Sequence, residues 1–345
     1  MIVAHHFVVH GGFEFSTDIT FNRVWLRFMQ IGGKIGVNIF VLISGYFLIT
    51  TIQIKTKKIL KLWLQIFTYA VFIFVTLVML GIQPLRIKEL IKNIFPITFT
   101  QWWFSSTYFV CYLITPYLNK LLNSLDKKEY QSMLFFLTLF WCIVPTFLTK
   151  KLESNGLLWF IYLYSLAGYI RLYVNKIKMK GRKYILAALV VMILTHLSAV
   201  IFDILGTRFS FFGNHVAYFY DMQRLPVVFI SLCLFIGFIK IDIGYKKFIN
   251  IISLATFGVY LIHDNVYLRS FIWENIFKNA YFFESPFFIL YSIGVICFVF
   301  IVCTLIELVR IYVLEKHYIG LINKISVFID SKKEEIFSLK IFDKI

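Results

Sequence analysis

Apolar runs of roughly 20 residues recur along the chain and are separated by short charged segments. When helical, a run of this length crosses the ~30 Å hydrocarbon core of a bilayer. A helix satisfies its own backbone hydrogen bonds within such a run, which excludes other structures for these continuous segments. With 60% hydrophobic and 15% charged residues, the 345-residue chain is more apolar than a soluble protein needs to be. The pattern predicts an all-α, polytopic membrane protein.

About ten transmembrane helices are predicted, the first of them truncated. The predicted spans are residues 1–10, 34–51, 59–81, 102–122, 131–149, 156–173, 184–205, 225–240, 250–270 and 286–310. Residues 11–33 are predicted to form a polar loop, and residues 86–93 a short basic amphipathic piece. The membrane domain is assigned to residues 1–313. The charged tail, 314–345, has an apolar periodicity that favours a helix on the membrane surface.

The first apolar segment, residues 1–10, is too short to cross the hydrocarbon core. Either the chain begins with half of a helix, or the protein starts upstream of Met1. The segment lacks a charged amino-terminal region and a small-residue cleavage site, so it is not predicted to be a signal peptide.

The formal net charge of +17 reflects basic residues that concentrate in alternate loops, including the loop with Arg171, Lys176, Lys178, Lys180, Arg182 and Lys183. The positive-inside rule then predicts a multi-pass protein of the cell membrane with both termini in the cytoplasm. No compact basic domain is present, so the lipid bilayer is an expected partner and nucleic acid is not. The five cysteines all lie in apolar runs without a CxxC pair, which predicts small buried side chains and neither disulfides nor a zinc site.

Three histidines, His5, His6 and His10, lie within six residues of the first apolar segment. Titratable groups at membrane depth are costly unless they are paired, so they are candidates for function. His6 and His10 are four residues apart and share a helix face. A neutral imidazole is also the usual base for removing a proton from a hydroxyl group. The alternative is that these histidines lie at the membrane surface beside the polar loop.

A second candidate region lies at residues 253–265, near the end of the predicted ninth span. Tyr260 and His263 are three residues apart and can face the same side of a helix. His263 is followed by Asp264 and Asn265. The alternative interpretation is a capped helix end with a solvated Asp-Asn pair.

Two further features surround the second span. Gly32, Gly33 and Gly36 allow close backbone approach, which favours helix packing. Ser44 is not a nucleophile elbow, because no GxSxG surrounds it. The basic cluster from residue 55 to residue 61 is either a topology signal or a site for a phosphate-rich ligand.

Four segments occur in order: AHHF at 4–7, GVNIFVLISGYFL at 36–48, WF at 103–104 with PYLN at 116–119, and SLATFGVYLIH at 253–263. Together they resemble the marker segments of the acyltransferase-3 family across essentially the whole chain. The resemblance implies about ten spans with a cytoplasmic amino terminus. It also implies transfer of an acyl group, usually acetyl from acetyl-CoA, to hydroxyls of surface or exported carbohydrates. In the family's first helix, an arginine precedes an essential histidine by ten intervening residues. If His6 is that histidine, the arginine position falls before Met1.

The resulting hypothesis is O-acetylation of a cell-surface or exported polysaccharide, or of its lipid-linked precursor. The candidate catalytic residues are His6, His263, His10 and Tyr260, and the candidate substrate-binding residues are Lys55, Lys58, Lys61, Tyr46 and Trp103. The expected partners are acyl-CoA, a carbohydrate acceptor and the bilayer, and no metal is expected. Two alternatives are a flippase or transporter for a lipid-linked sugar, and an inactive truncated family member. Consumption of acyl-CoA discriminates between the enzyme and these alternatives.

Overall fold

The computed structural model describes residues 1–15, 18–148, 156–174 and 179–338, with side chains described up to residue 332. All regular structure in these ranges is helical, which confirms the all-α class. The α-helices are α1 (Ile2–Val9), α2 (Phe21–Leu48), α3 (Thr56–Met79), α4 (Ile87–Ile94), α5 (Trp103–Ser124), α6 (Lys127–Thr138), α7 (Val144–Phe147), α8 (Gly156–Tyr173), α9 (Gly181–Gly206), α10 (Ser210–Gly213), α11 (Leu225–Ile239), α12 (Lys247–His263), α13 (Phe288–Val309) and α14 (Glu315–Ser338).

Six helical segments among the described residues are long and apolar enough to cross a membrane. They are Phe21–Leu48, Thr56–Met79, Lys127–Phe147, Gly181–Gly206, Ser210–Ile239 and Phe288–Lys332, and Lys247–His263 is a shorter apolar helix. A π-helical turn joins α6 to α7 and another joins α13 to α14. The protein is therefore a multi-pass membrane protein, and the predicted number of ten spans stays a prediction.

Helix α9 exposes a nearly continuous apolar surface. Leu186, Leu189, Ile193, Leu194 and Leu197 are all exposed. A contiguous apolar surface of this extent is not stable in water, because each such side chain favours burial by about 1.5–3 kcal/mol. The lipid bilayer supplies the apolar surroundings that this face requires.

The second helix begins earlier than expected, so the prediction of a polar loop over residues 11–33 is wrong for its second half. Helix α2 starts at Phe21, and the side chain of Thr20 caps it by accepting a hydrogen bond from the Arg23 amide at 3.2 Å. Arg23 and Arg27, which suggested a loop, both bind the buried carboxylate of Asp203 on α9. Hydrogen bonds to this distant carboxylate allow both arginines to lie within the helix bundle.

Helix α1 packs against a glycine-lined face of α2. A Cβ atom added to Gly33 would lie 2.2 Å from the His5 ring, and one added to Gly36 would lie 2.9 Å from the Ile2 side chain. The predicted role of these glycines in helix packing is therefore confirmed. Gly45 likewise allows α8 to pack closely against α2, since an added Cβ would lie 2.6 Å from the Tyr164 carbonyl oxygen.

We expect Gly33→Ala to lower the free energy of unfolding by about 1–3 kcal/mol, because the new methyl group overlaps the His5 ring and α1 must shift. Activity should fall as well, since α1 carries His6. The matched control is Gly294→Ala in α13, where no atom of the described part of the chain lies within 4 Å of an added Cβ. Thermal unfolding of the two purified variants in the same detergent measures the difference, and equal stability would contradict this packing.

A buried ionic network joins α3, α12 and α13. Glu307, fully buried, accepts hydrogen bonds from Arg310 at 2.7 and 2.8 Å, from Gln65 at 2.8 Å and from Tyr69 at 2.5 Å. A Cβ added to Gly258 on α12 would lie 2.3 Å from the Glu307 carboxyl carbon. The network thus fixes α12, which ends in His263, against the rest of the bundle.

Other predicted boundaries differ in detail. Helix α12 ends at His263 rather than continuing to residue 270, because the Asn265 side chain accepts a hydrogen bond from the Tyr267 amide and turns the chain. The short basic piece is a helix, as α4, and the tail is helical from Glu315. The helix continues across residues 313 and 314, so the domain boundary stays a prediction.

Of the five cysteines, Cys297 is exposed and the others are buried as predicted.

Some predicted features lie outside the described residues. They are residue 149 at the end of the predicted fifth span, Lys176 and Lys178 of the basic loop, and residues 339–345 of the tail.

Candidate active site

The centre of the site is a pair of imidazoles from opposite ends of the chain. The Nδ1 atom of His6 lies 2.9 Å from Nε2 of His263. The Nδ1 of His263 lies 2.5 Å from the Val259 carbonyl oxygen, which accepts hydrogen bonds only, so this nitrogen donates. The neutral His263 ring therefore accepts at Nε2, and His6 donates from Nδ1. This chain leaves a lone pair on Nε2 of His6, which is the nitrogen that can act as a base.

An aspartate stands beside this pair. Asp264 has a relative exposure of 6%, and its Oδ1 lies 3.3 Å from Nε2 of His10 and 3.8 Å from Nδ1 of His6. The alternative interpretation of a solvated Asp-Asn pair is wrong, because Asn265 is also buried. A buried carboxylate at this position stabilises positive charge on an imidazole.

Tyr260 completes one wall of the cluster. Its ring centroid lies 6.3 Å from that of His6 and 5.5 Å from that of Phe104. Its hydroxyl is buried and makes no hydrogen bond of good geometry with any residue that the structure describes. A buried hydroxyl group beside a base can donate a hydrogen bond to the oxyanion that forms during acyl transfer.

His5 faces away from this cluster. Its Nδ1 donates to the Gln30 carbonyl oxygen on α2 at 2.6 Å, and its ring lies against Gly33. The two adjacent histidines thus differ in role, since His5 ties α1 to α2 and His6 faces His263. The four candidate catalytic residues, His6, His10, Tyr260 and His263, lie together.

The same cluster has the composition of a metal site. One ligand atom from each of His6, His10 and Asp264 lies within 4.8 Å of the others. These residue types bind zinc and other divalent transition metals. If Nδ1 of His6 bound such an ion, its hydrogen bond to His263 would be replaced. The absence of a metal stays a prediction.

The candidate substrate-binding aromatics lie at different levels of the bundle. The Trp103 ring lies 5.5 Å from Nζ of Lys34 and packs against Phe104, which in turn contacts Tyr260. Tyr46 lies thirteen positions beyond Gly33 on α2, roughly 20 Å along the helix axis. There it binds the Arg171 guanidinium, 3.3 Å from its hydroxyl. Tyr46 is therefore not part of the histidine cluster.

A stacked aromatic row runs along α5 from the histidine cluster toward the other end of α2. Phe104 stacks on Tyr108 and Tyr108 on Tyr112, with centroids 6.0 and 6.2 Å apart. The Tyr108 hydroxyl also lies 3.1 Å from the Ser44 hydroxyl of α2. Beyond this row, Pro116 and Tyr117 line a cavity.

This cavity has a volume of about 1510 Å³ and lies at the carboxyl end of α2. Its basic lining residues are Lys55, Lys57 and Lys120. Of the three lysines selected from the sequence, Lys58 is exposed outside the lining and Lys61 pairs with Glu315. Lys120, on α5, was not selected from the sequence, because only its positive charge distinguished it there.

Asn119 shapes the cavity wall. Its side-chain amide donates to the carbonyl oxygens of Leu48 and Thr51 at 2.7 and 2.8 Å, and its oxygen accepts from Tyr164. The last carbonyl groups of a helix have no hydrogen-bond donor within the helix, and Asn119 supplies donors to those at the carboxyl end of α2. Its place in the PYLN segment was the available sequence signal.

Helix α4 supports the segment that follows His263 and Asp264. The Tyr267 hydroxyl donates to Glu89 at 2.9 Å and accepts from Asn93 at 3.1 Å. A hydrogen bond from Lys92 holds the pKa of the half-buried Glu89 below its usual range. Glu89 is thus a charged acceptor, which strengthens its hydrogen bond to Tyr267.

Residues 1–308 match the acyltransferase domain of the acyltransferase-3 family. The chain belongs to the acyltransferase-3 family. It is accordingly a membrane O-acyltransferase, and the matched residues include every candidate catalytic residue. Comparisons with curated proteins and with solved structures return no match.

Proposed function

We propose that this acyltransferase-3 protein transfers an acetyl group from acetyl-CoA to a hydroxyl of a cell-surface or exported polysaccharide, or of its lipid-linked precursor. The observation that carries the proposal is the hydrogen-bond chain from Val259 through His263 to His6. It leaves Nε2 of His6 as a buried base, which is the group needed to activate a hydroxyl nucleophile.

The proposed reaction is a direct transfer. His6 takes the proton from the acceptor hydroxyl while the hydroxyl oxygen bonds to the thioester carbonyl carbon. The tetrahedral intermediate then breaks its carbon–sulfur bond, and the leaving thiolate takes the proton from the His6 imidazolium. The products are the acetyl ester and the free thiol of CoA. Asp264 and His263 stabilise the imidazolium, His10 orients Asp264, and Tyr260 donates to the oxyanion.

The acetyl donor is proposed to enter from the cavity at the carboxyl end of α2. From Gly33 to Leu48 is fifteen positions along α2, roughly 22 Å. A thioester on a long flexible arm suits a route of this length along the aromatic row of α5, while its phosphates remain near Lys55 and Lys57. The proposal assigns this end to the cytoplasm, with both termini, in a protein of the cell membrane.

The function is tested with purified protein in lipid vesicles, supplied with acetyl-CoA and a mixture of bacterial capsule and lipid-linked oligosaccharide fractions. Release of the CoA thiol coupled to appearance of carbohydrate acetyl ester supports the proposal. Thiol release without ester, or transfer only from a different acyl-CoA, contradicts it.

We expect the double variant Lys55→Ala/Lys57→Ala to raise the KM for acetyl-CoA by about 3- to 10-fold with little change in kcat. Each lysine contributes a solvent-exposed phosphate contact of modest strength. Lys58→Ala is the matched control, since Lys58 is exposed on the same helix outside the cavity. Initial rates at several acetyl-CoA concentrations measure the effect, and an equal rise in the control would contradict it.

A further inference from the structure

A stripe of polar residues runs along the amino-terminal half of α2. Arg23, Arg27, Gln30, Lys34 and Asn38 follow one another at spacings of four, three, four and four residues. At 100° per residue, they fall within roughly 80° around the helix. Such a stripe on a membrane-spanning helix faces the bundle interior or a polar cavity rather than lipid.

Near the start of the stripe, the carboxylate of Asp203 accepts hydrogen bonds from two guanidinium groups. Asp203 accepts from Arg23 at 2.5 and 2.8 Å, and from Arg27 at 3.2 and 3.4 Å. Its single negative charge balances only one of the two arginines. Both guanidinium groups also stack over the Phe15 ring, at 5.1 and 4.5 Å.

A third arginine, Arg224, lies beside the stripe with a relative exposure of 4%. Its Nε and Nη1 atoms are buried and have no hydrogen-bond partner among the residues that the structure describes. Its guanidinium stacks over Tyr218 at 3.9 Å. The neighbouring Met222 carbonyl oxygen accepts from the Asn38 side chain at 2.9 Å, which brings this segment to the stripe. A buried charge with unpaired donors destabilises a protein unless a ligand satisfies it.

The stripe leads to the catalytic cluster. The Gln30 carbonyl oxygen accepts from His5 at 2.6 Å, and one turn further Nζ of Lys34 lies 5.5 Å from the centroid of the Trp103 ring. Asn38, one turn further, binds the Trp159 indole at 3.0 Å, and Trp159 is fully buried. The basic groups and His6 therefore adjoin the same stretch of α2.

We infer that the acceptor carries an anionic group, a phosphate or a carboxylate, which the unpaired donors of Arg224 bind beside the stripe. The inference rests on the proposed function and adds the chemical class of its acceptor. Guanidinium groups bind planar or tetrahedral oxyanions through paired N–H donors, and burial strengthens these bonds. An acceptor held by its anionic group can present a neighbouring hydroxyl to Nε2 of His6. Phosphate would come from a lipid-linked sugar diphosphate, and carboxylate from an acidic sugar.

The test measures thermal stabilisation of the purified protein by three probes: inorganic pyrophosphate, glucuronate and glucose, each at matched ionic strength with sodium chloride. We expect stabilisation by pyrophosphate or glucuronate and none by glucose. The pyrophosphate arm and the glucuronate arm distinguish the two sources of the anion. In Arg224→Gln the apparent affinity for the effective anion should fall at least about 10-fold.

Arg224→Gln has a second expected property that separates binding from folding. Because two donors of Arg224 are unpaired, the variant without anion should unfold at the same or a higher temperature than the parent protein. The control is Arg208→Gln, an exposed residue in the same connecting region, which should keep the anion effect. Equal stabilisation by glucose, or equal loss of the effect in both variants, overturns the anion site. Acetyl-CoA turnover that requires His6 but shows no anion effect overturns this inference alone and leaves the proposed acyl transfer standing.

Discussion

His6→Ala is expected to reduce kcat for acetyl transfer by about 10²- to 10⁴-fold while the protein remains folded. The variant removes the base whose Nε2 lone pair the His263 hydrogen bond leaves available. The KM for acetyl-CoA should change little, because the basic cavity lies roughly 22 Å away along α2. Release of CoA thiol by the purified variant measures the loss.

Two controls accompany this variant. His215→Ala removes a half-buried histidine that contacts Phe211 and Tyr218 rather than the cluster, and it should keep full activity. Added imidazole should partly restore activity to His6→Ala, because it can occupy the space of the lost ring. Full activity of His6→Ala would show that another group acts as the base.

Glu307→Ala is expected to lower the free energy of unfolding by about 3–5 kcal/mol. The change removes the nearer carboxylate partner of the buried Arg310 guanidinium, leaving Glu315 at 3.4 Å, and also removes an acceptor from Gln65 and Tyr69. Since the network fixes α12, activity should fall with the folded fraction, whereas the KM of the remaining folded protein should not change. Unfolding in detergent and activity per folded molecule measure the two effects.

The double variant Glu307→Ala/Arg310→Met tests the reason for this loss. Removing the guanidinium as well takes away a buried charge that Glu315 alone compensates incompletely, so the double variant should be more stable than Glu307→Ala alone. If both variants are equally destabilised, the packing of Glu307 against Gly258 is the source instead of the ion pair.

The extent to which the site could be predicted differs from residue to residue. The spacing of His6 and His10 and of Tyr260 and His263 correctly selected residues that lie together, because helical periodicity makes these pairs share a face. The choice between His5 and His6 had no such basis in local spacing. It follows from partners on other helices, the Gln30 carbonyl for His5 and His263 for His6.

The basic residues illustrate the opposite difficulty. Arg23 and Arg27 suggested a polar loop, yet they are helical and partly or fully buried. The four-residue spacing through Lys34 and Asn38 was the sequence signal for a polar helix face, and Thr20 was the signal for its start. Lys58 and Lys61 were selected for charge alone, and the fold directs neither of them into the cavity.

The sequence by itself determined the helical membrane class and the family, because apolar run length and segment order are properties of the chain read along its length. Tertiary structure decided which charged groups are buried and which nitrogen of His6 is basic. The partners that decide these points, Asp203 for Arg23 and His263 for His6, lie 180 and 257 positions away in the chain. Burial of a charge and the tautomer of an imidazole depend on the neighbours that the fold supplies, and no local pattern contains them.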